Sequence, residues 1–156
     1  MLYKNNTETI ILNVFVKSYL TERCLFFDYK RMKSKHGKKR ILIVDDEPDI
    51  TESFGISLED SGFEVDKFND PGIALASFKP NVYNLLILDI KMPKMDGFEL
   101  YDKIEKIDKK VKVFFISAFE IDPAAMRKKY PTLKIENFIP KPILIPELIK
   151  RINEQK

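Results

Sequence analysis

The chain has 156 residues, 33% of them charged and 44% hydrophobic, which suits one compact domain and argues against a multidomain enzyme. Five glycines and nine prolines exclude a low-complexity or collagen-like chain. The formal charge of +3 combines a basic start, with nine Lys and Arg against three Asp and Glu in residues 1–39, and a mildly acidic remainder with 18 against 21.

Residues 1–37 are interpreted as an N-terminal extension, either flexible or the product of a mis-assigned start. Their most hydrophobic run, residues 10–16, ends at Lys17 without a small-residue cleavage site, so it is neither a signal peptide nor a membrane span. A polar leader after Met32 suggests that the biological start is Met32. An added helix is the alternative, and a native peptide containing Cys24 would refute the late start.

The cysteine and histidine content argues against a disulfide or zinc framework. Cys24 is the single cysteine and cannot form an internal disulfide, so a cytoplasmic location is expected. His36 is the single histidine and lies among lysines, where a solvated linker residue is the simpler interpretation than a ligand. The sequence has no Cys/His spacing typical of zinc sites.

From Arg40 onward the pattern predicts five strands alternating with five helices. Two apolar runs, residues 41–44 and 85–88, are typical of parallel strands buried on both faces. Strict alternation predicts an α/β fold with a doubly wound five-stranded parallel sheet and right-handed crossovers. The other predicted strands are residues 63–68, 111–116 and 135–139, and the helices start near residues 46, 71, 96, 122 and 146.

Polar side chains follow four of the predicted strands. Asp45 and Asp46 follow the first, Asp89 the third, Ser117 the fourth and Lys141 the fifth. In doubly wound folds, functional groups gather at the carboxyl ends of the strands. We therefore expect three carboxylates, a hydroxyl and an ammonium to lie on one edge of the sheet.

Each of these residues has a simpler interpretation when taken alone. The acid pair could cap the following helix, Asp89 could begin a turn, and Lys141 could be a surface lysine. Together they are harder to explain in that way, because like charges at one edge repel unless a cation neutralises them. Carboxylate oxygens and water suit Mg²⁺, so a magnesium site is predicted.

Four motifs in this order resemble the receiver domain of two-component response regulators, and the resemblance covers residues 38–153. It implies the flavodoxin-like strand order 2-1-3-4-5, with residues 38–156 as the receiver domain. Any one motif is weak, but four in order, each after a strand, are specific. The motifs are Val44-Asp45-Asp46-Glu47, Leu88-Asp89-Ile90-Lys91-Met92-Pro93-Lys94-Met95-Asp96-Gly97, Ser117-Ala118 and Lys141-Pro142.

The resemblance implies a metal-dependent phosphoacceptor. Asp89 would receive a phosphoryl group from a phosphohistidine on a sensor histidine kinase or a histidine phosphotransfer protein. Asp46 would bind Mg²⁺ directly and Asp45 through water, and Asp89 and the backbone carbonyl of Lys91 would complete the protein ligands. An anionic carboxylate needs such a cation to approach an anionic phosphoryl group.

The remaining implied residues bind the phosphoryl group and report its presence. Lys141, after a cis Lys141-Pro142 bond, would pair with one phosphoryl oxygen, and Ser117 would donate a hydrogen bond to another. Ser117 and Phe138 would form the switch. The sequence has Phe138 where many members have Tyr, which removes a phenolic hydrogen bond, and Ser117 where Thr is common, which removes the restraint of a β-branch.

The resemblance also bears on the lifetime of the phosphorylated state. Lys91 and Phe119 would flank the phosphoryl group and obstruct the in-line water that hydrolysis requires. The alternative is that both side chains point to solvent. The occluding interpretation predicts slow autodephosphorylation. The resemblance itself implies a signalling domain that catalyses its own phosphorylation and acts on no other substrate.

No output domain follows Asn153, so a stand-alone receiver that signals by docking to an unknown downstream protein is expected. The predicted docking face combines the helix after residue 122, the fifth strand and the last helix, with a basic, partly aromatic patch of Arg127, Lys128, Lys129 and Tyr130; taken individually, these charges are more simply a solvated helix face. A phosphorelay intermediate or a phosphate sink would use the same chemistry. Neither nucleic acid nor a membrane is an expected partner.

Three other classes of protein fit the sequence less well. Haloacid-dehalogenase-like phosphatases share these residue types, but their nucleophile comes first in the chain and the acid pair last. Nucleotide-binding folds lack support because neither glycine-rich phosphate-loop motif occurs. A nucleic-acid binder would depend on the basic N-terminus alone.

Overall fold

A computed structural model describes residues 38–118, 122, 124 and 128–155. These residues form one five-stranded parallel sheet in the order β2-β1-β3-β4-β5. The predicted fold class and strand order are therefore confirmed. The predicted extension, residues 1–37, lies outside the described residues and stays a prediction. The strands are β1 (Arg40–Val44), β2 (Glu64–Phe68), β3 (Leu85–Asp89), β4 (Lys112–Ser117) and β5 (Phe138–Pro140).

Helices pack on both faces of the sheet, as its two hydrophobic clusters require. Successive residues of a strand point to opposite faces, so Leu42 and Val44 enter one cluster and Ile41 and Ile43 the other. All four side chains are at most 1% exposed, and burying each stabilises the fold by about 1.5–3 kcal/mol. The helices are α1 (Pro48–Asp60), α2 (Pro71–Ser77), α3 (Gly97–Ile107) and α4 (Ile145–Glu154).

Two of the three helices that follow β1, β2 and β3 begin at a side-chain cap. Asp70 caps α2 by accepting the amides of Gly72 and Ile73 at 2.8 and 3.1 Å. Asp96 caps α3 in a reciprocal capping box with Glu99. No side chain caps α1, so the interpretation of the acid pair as a simple helix cap is wrong.

The fifth strand is shorter than predicted. Residues Ile135–Asn137 form a 3-10 turn, and the strand itself comprises only Phe138–Pro140. The side chain of Asn137 causes the difference, because it accepts the amide of Lys134 at 2.8 Å and donates to the carbonyl of Val113 at 2.7 Å. These bonds hold a turn where the apolar pattern alone favours extended backbone.

The predicted basic and aromatic patch needs one correction. Tyr130 is only 8% exposed, because its ring stacks on Phe98 with centroids 5.2 Å apart and its hydroxyl donates to Asp102 at 3.3 Å. Tyr130 is therefore part of the core rather than of a docking surface. Arg127 and most of the helix predicted after residue 122 lie outside the described residues. None of the helices among the described residues combines the length and the hydrophobicity of a membrane span.

Candidate functional site

The carboxyl edge of the sheet brings the predicted site residues together. Asp89 ends β3 and Ser117 ends β4, and the residues that follow β1 and β5 lie beside them. A cavity of about 130 Å³ opens at this edge. Its volume matches a small anion with a few water molecules rather than a large organic ligand. Its lining consists of Asp46, Glu47, Asp89, Lys91, Ser117, Ala118 and Lys141.

The Lys141 ammonium joins two of the acids. Its Nζ lies 2.8 Å from Asp45 Oδ2 and 2.7 Å from Asp89 Oδ1. The side chains of Lys141, Asp45 and Asp89 are 17%, 5% and 8% exposed, so solvent screens these ion pairs only weakly. The backbone amide of Lys141 donates to the Ser117 carbonyl at 2.7 Å, and the Lys141-Pro142 bond is cis, as predicted.

The remaining carboxylate oxygens accept backbone amides. Asp89 Oδ2 accepts the amide of Lys91 at 2.7 Å, and Asp45 Oδ1 accepts the amide of Glu47 at 2.9 Å. Each oxygen of the two acids therefore has a partner, which fixes both carboxylate planes. A preoriented acceptor oxygen is what an in-line displacement requires.

The electrostatics of the site show a shortage of positive charge. Burial raises the pKa of the Asp89 carboxyl, and the nearby Asp45 raises it further. The bond to Lys141 lowers this pKa, but by less, so the net shift is upward. Burial lowers the pKa of Lys141, but its bonds to Asp45 and Asp89 outweigh burial and hold that pKa above its usual range. Lys141 is therefore charged at neutral pH, and the cluster of acids still holds more carboxylates than cations.

The donor set fits a hard divalent cation such as Mg²⁺. Asp46 and Asp89 line the same cavity, Asp45 lies within reach of Lys141, and the available ligand atoms are oxygens. Among the described residues, however, no three acidic, Cys or His side chains already surround one point, because the Lys141 ammonium stands between Asp45 and Asp89. A metal ion would compete with Lys141 for these oxygens.

The two predicted switch residues are both buried. Ser117 is 4% and Phe138 8% exposed. The Phe138 ring stacks on Phe115, with centroids 5.4 Å apart and an interplanar angle of 16°, and it also lies near Phe98. Phe138 thus faces the interior, where it packs among aromatic rings of β4 and α3.

Two residues of the site stand within the motifs given above, but no role at the site was predicted for them. Glu47 Oε1 lies 3.6 Å from Lys141 Nζ, and its position directly after the acid pair could have indicated it. Gly97 packs against the backbone of Asp89, so that a Cβ there would overlap the Asp89 carbonyl. The predicted flanking residue Phe119 lies outside the described residues.

Comparison with known proteins identifies the class of domain. The family model of the response regulator receiver domain matches residues 41–153. The chain is 34% identical to the chemotaxis protein CheY of Treponema pallidum over 117 residues, covering 72% of this chain and 79% of that protein. A CheY-like receiver domain structure from Methanospirillum hungatei superimposes with a TM-score of 0.68 at 31% identity, covering 76% of this chain and 94% of that one.

A second similar structure is a CheX–CheY–BeF3–Mg²⁺ complex from Borrelia burgdorferi, with a TM-score of 0.64, 29% identity, and coverage of 73% of this chain and 86% of that one. The chain belongs to the response regulator receiver domain family. Receiver domains are the phosphoacceptor signalling domains of two-component systems. Family membership therefore decides against the haloacid-dehalogenase-like alternative.

Proposed function

We propose that this chain accepts a phosphoryl group on Asp89 from a phosphohistidine, in a Mg²⁺-dependent reaction, and then signals by docking to a partner. One observation carries the proposal: a single small cavity unites Asp89 with Lys141 and Ser117 at the carboxyl edge of the sheet. The phosphohistidine would belong to a sensor histidine kinase or a histidine phosphotransfer protein. The proposed setting is the cytoplasm.

The transfer requires one bond to form and one to break. A carboxylate oxygen of Asp89 forms a bond to phosphorus, the phosphorus–nitrogen bond of the donor breaks, and the imidazole leaves with its electron pair. Lys141 offsets the charge on one phosphoryl oxygen, and Ser117 donates a hydrogen bond to another. Mg²⁺, held by Asp45, Asp46, Asp89 and the main-chain carbonyl of Lys91, would neutralise phosphoryl charge. The BeF3 and Mg²⁺ in the Borrelia complex support this assignment.

The assignment of Asp89 can be tested with a small phosphodonor. Incubation with acetyl phosphate and Mg²⁺ is expected to raise the intact mass by one phosphoryl group. Asp89→Asn removes the nucleophilic oxygen and is expected to abolish the increase. Asp60→Asn, at the exposed end of α1, is the matched control and should label like the wild type.

Two outcomes would count against this function. Labelling of Asp89→Asn at the wild-type rate would move the acceptor elsewhere, and labelling of the wild type after chelation of divalent ions would remove the need for Mg²⁺. A phosphorelay intermediate and a phosphate sink share this chemistry. They differ in the fate of the phosphoryl group, which a transfer assay with a second histidine phosphotransfer protein would follow.

Lys91 is expected to slow hydrolysis of the phosphorylated state. Its exposed side chain lines the cavity two residues after Asp89, where it can pair with phosphoryl oxygens and crowd the approaching water. Lys91→Asn should therefore shorten the lifetime of phosphorylated Asp89 severalfold, measured as decay of the phosphorylated mass.

Lys94→Asn is a matched control for Lys91→Asn, because Lys94 lies on the same loop with a positive φ of 69° that Asn tolerates. It changes the same charge and should leave the lifetime unaltered. Equal decay in all three proteins would show that Lys91 does not obstruct water. The companion prediction for Phe119 concerns a residue outside the described ranges.

A further inference from the structure

The loop between β1 and α1, which carries Asp46, is anchored by the side chain of Asn69, directly after β2. The amide nitrogen of Asn69 donates to the main-chain carbonyl of Asp45 at 2.8 Å and to Thr51 Oγ1 at 2.9 Å. A primary amide has two hydrogens, one for each acceptor. Thr51 Oγ1 in turn donates to the carbonyl of Pro48 at 2.9 Å. Asn69 and Thr51 therefore link the first residue of the loop, Asp45, to the first turn of α1.

Because Thr51 is buried, loss of its hydrogen bonds would be costly in free energy. Thr51 is 3% exposed, and a buried hydroxyl that loses a partner costs about 1–3 kcal/mol. Neither Asn69 nor Thr51 lines the phosphoryl cavity, so neither touches the reacting groups. A substitution of either residue must therefore affect the site through the loop between β1 and α1.

The position of Asp46 depends on that loop. Asp46 is exposed, and within the described residues its side chain makes no hydrogen bond. Asp45, in contrast, is held by Lys141 and by the amide of Glu47. The backbone conformation therefore sets where the Asp46 carboxylate can reach, and the Asn69–Thr51 bonds restrain that backbone at both ends.

A neighbouring ion pair is a weaker restraint. Asp70 accepts from Lys94 Nζ at 2.8 Å, which joins the β2–α2 turn to the loop after Asp89. The Lys94 side chain is 78% exposed, and such surface pairs contribute little because water and salt screen them. Lys94 therefore serves as a control rather than as part of the restraint.

We propose that Asn69 and Thr51 are positioning residues for the acid pair, and that they set the affinity of the site for Mg²⁺ without contacting the ion. The inference rests on the proposed function, because it concerns the Mg²⁺ that phosphoryl transfer would use. It assigns a role to two polar residues that bind neither the phosphoryl group nor the metal.

The test compares Mg²⁺ affinity with stability in the full chain. Titration calorimetry with MgCl₂ gives the dissociation constant, and urea unfolding without Mg²⁺ gives the free energy of unfolding. Asn69→Ala and Thr51→Val are each expected to weaken Mg²⁺ binding roughly tenfold, as for other residues that orient metal ligands. Thr51→Ser keeps the hydroxyl and should restore wild-type affinity.

Two further variants separate positioning from general stability. Ser57→Ala removes a hydroxyl bonded to the Ser53 carbonyl on the same helix, and Lys94→Met removes the exposed ion pair; both should bind Mg²⁺ like the wild type. The double variant Asn69→Ala/Thr51→Val should lose less affinity than the two single losses combined, because the Asn69–Thr51 bond is lost in both single variants.

The outcomes distinguish this inference from the function on which it rests. Wild-type Mg²⁺ affinity in Asn69→Ala would overturn the inference while leaving the function intact; the exposed Asn69 carries this test even if Thr51→Val fails to fold. Loss of affinity in Thr51→Ser equal to that in Thr51→Val would also overturn it. A wild-type protein that binds no Mg²⁺ would overturn the proposed function itself.

Discussion

Replacing Lys141 with Met is expected to lower the free energy of unfolding of the metal-free protein by about 3 kcal/mol, the usual result of removing one partner from a buried ion pair. The variant leaves Asp45 and Asp89 facing each other without the ammonium that bridges them at 2.8 and 2.7 Å. Mg²⁺ should reverse part of the loss and bind the variant more tightly than the wild type, because the ammonium no longer competes for the same oxygens. Phosphoryl acceptance should still fall, since Lys141 is a proposed phosphate partner.

The stability deficit of Lys141→Met should depend on pH in one direction. The raised pKa of Asp89 means that the folded state prefers its protonated form, so ionisation of Asp89 above the ordinary value of 3.8 works against folding. In the variant this penalty grows because the ammonium is gone. The deficit should be full at neutral pH and should shrink as the pH falls through the carboxyl pKa range.

In the wild type, the contribution of Lys141 to stability depends on pH in the opposite direction. Its pKa is raised above 10.5, so its stabilising effect is complete below that pH and is lost as the pH rises through the higher folded-state value. Urea unfolding at several pH values, with and without MgCl₂, measures both trends. Lys94→Met is the surface control and should lose less than about 1 kcal/mol. Equal metal-free stability of Lys141→Met and the wild type at neutral pH would contradict the prediction.

Gly97→Ala is expected to lower the free energy of unfolding by about 2–3 kcal/mol, toward the upper end of overpacking effects. A Cβ on Gly97 would overlap the carbonyl oxygen of Asp89 and lie 3.1 Å from its carbonyl carbon and 3.2 Å from Ile90 Cα. Backbone atoms at the end of a central strand cannot move aside without moving the Asp89 carboxylate. Phosphoryl acceptance should therefore fall together with stability.

Gly55→Ala is the matched control for Gly97→Ala. The atoms that a Cβ on Gly55 would meet belong to the flexible side chain of Lys67, which can rotate away. Ala also gains about 0.8–1.0 kcal/mol over Gly in a helix interior, so Gly55→Ala should be close to neutral or slightly stabilising. A similar small effect for Gly97→Ala in urea unfolding would show that the Asp89 backbone is not tightly held.

Local patterns in the sequence account for most of the fold. The apolar runs in β1 and β3 and the helix starts near residues 71 and 96 depend on residues within a few positions of each other, and the structure confirms them. The fifth strand was predicted too long because the decisive bond, from Asn137 to the Val113 carbonyl, spans 24 positions. No local pattern reports such a contact.

At the candidate site, too, part of the arrangement follows from the sequence and part depends on tertiary contacts. That Asp45, Asp89, Ser117 and Lys141 converge follows from strand ends and chain order, and the structure places all four at one edge. That Lys141 bridges the two acids follows only from tertiary geometry, because Lys141 and Asp45 lie 96 positions apart in the sequence. The contact between Asn69 and Thr51 likewise had no signal in the sequence.

The two edge strands of the sheet limit how other chains can approach this domain. β5 has three residues, follows a 3-10 turn, and ends at Pro140, which has no backbone N–H to offer. β2, at the other edge, carries Glu64, Asp66 and Lys67 within five residues. Short or charged edges disfavour strand addition, so sheet extension between copies, and the aggregation it leads to, should be rare. Partners are therefore expected to recognise side chains on the surface of the domain rather than to add a strand to its sheet.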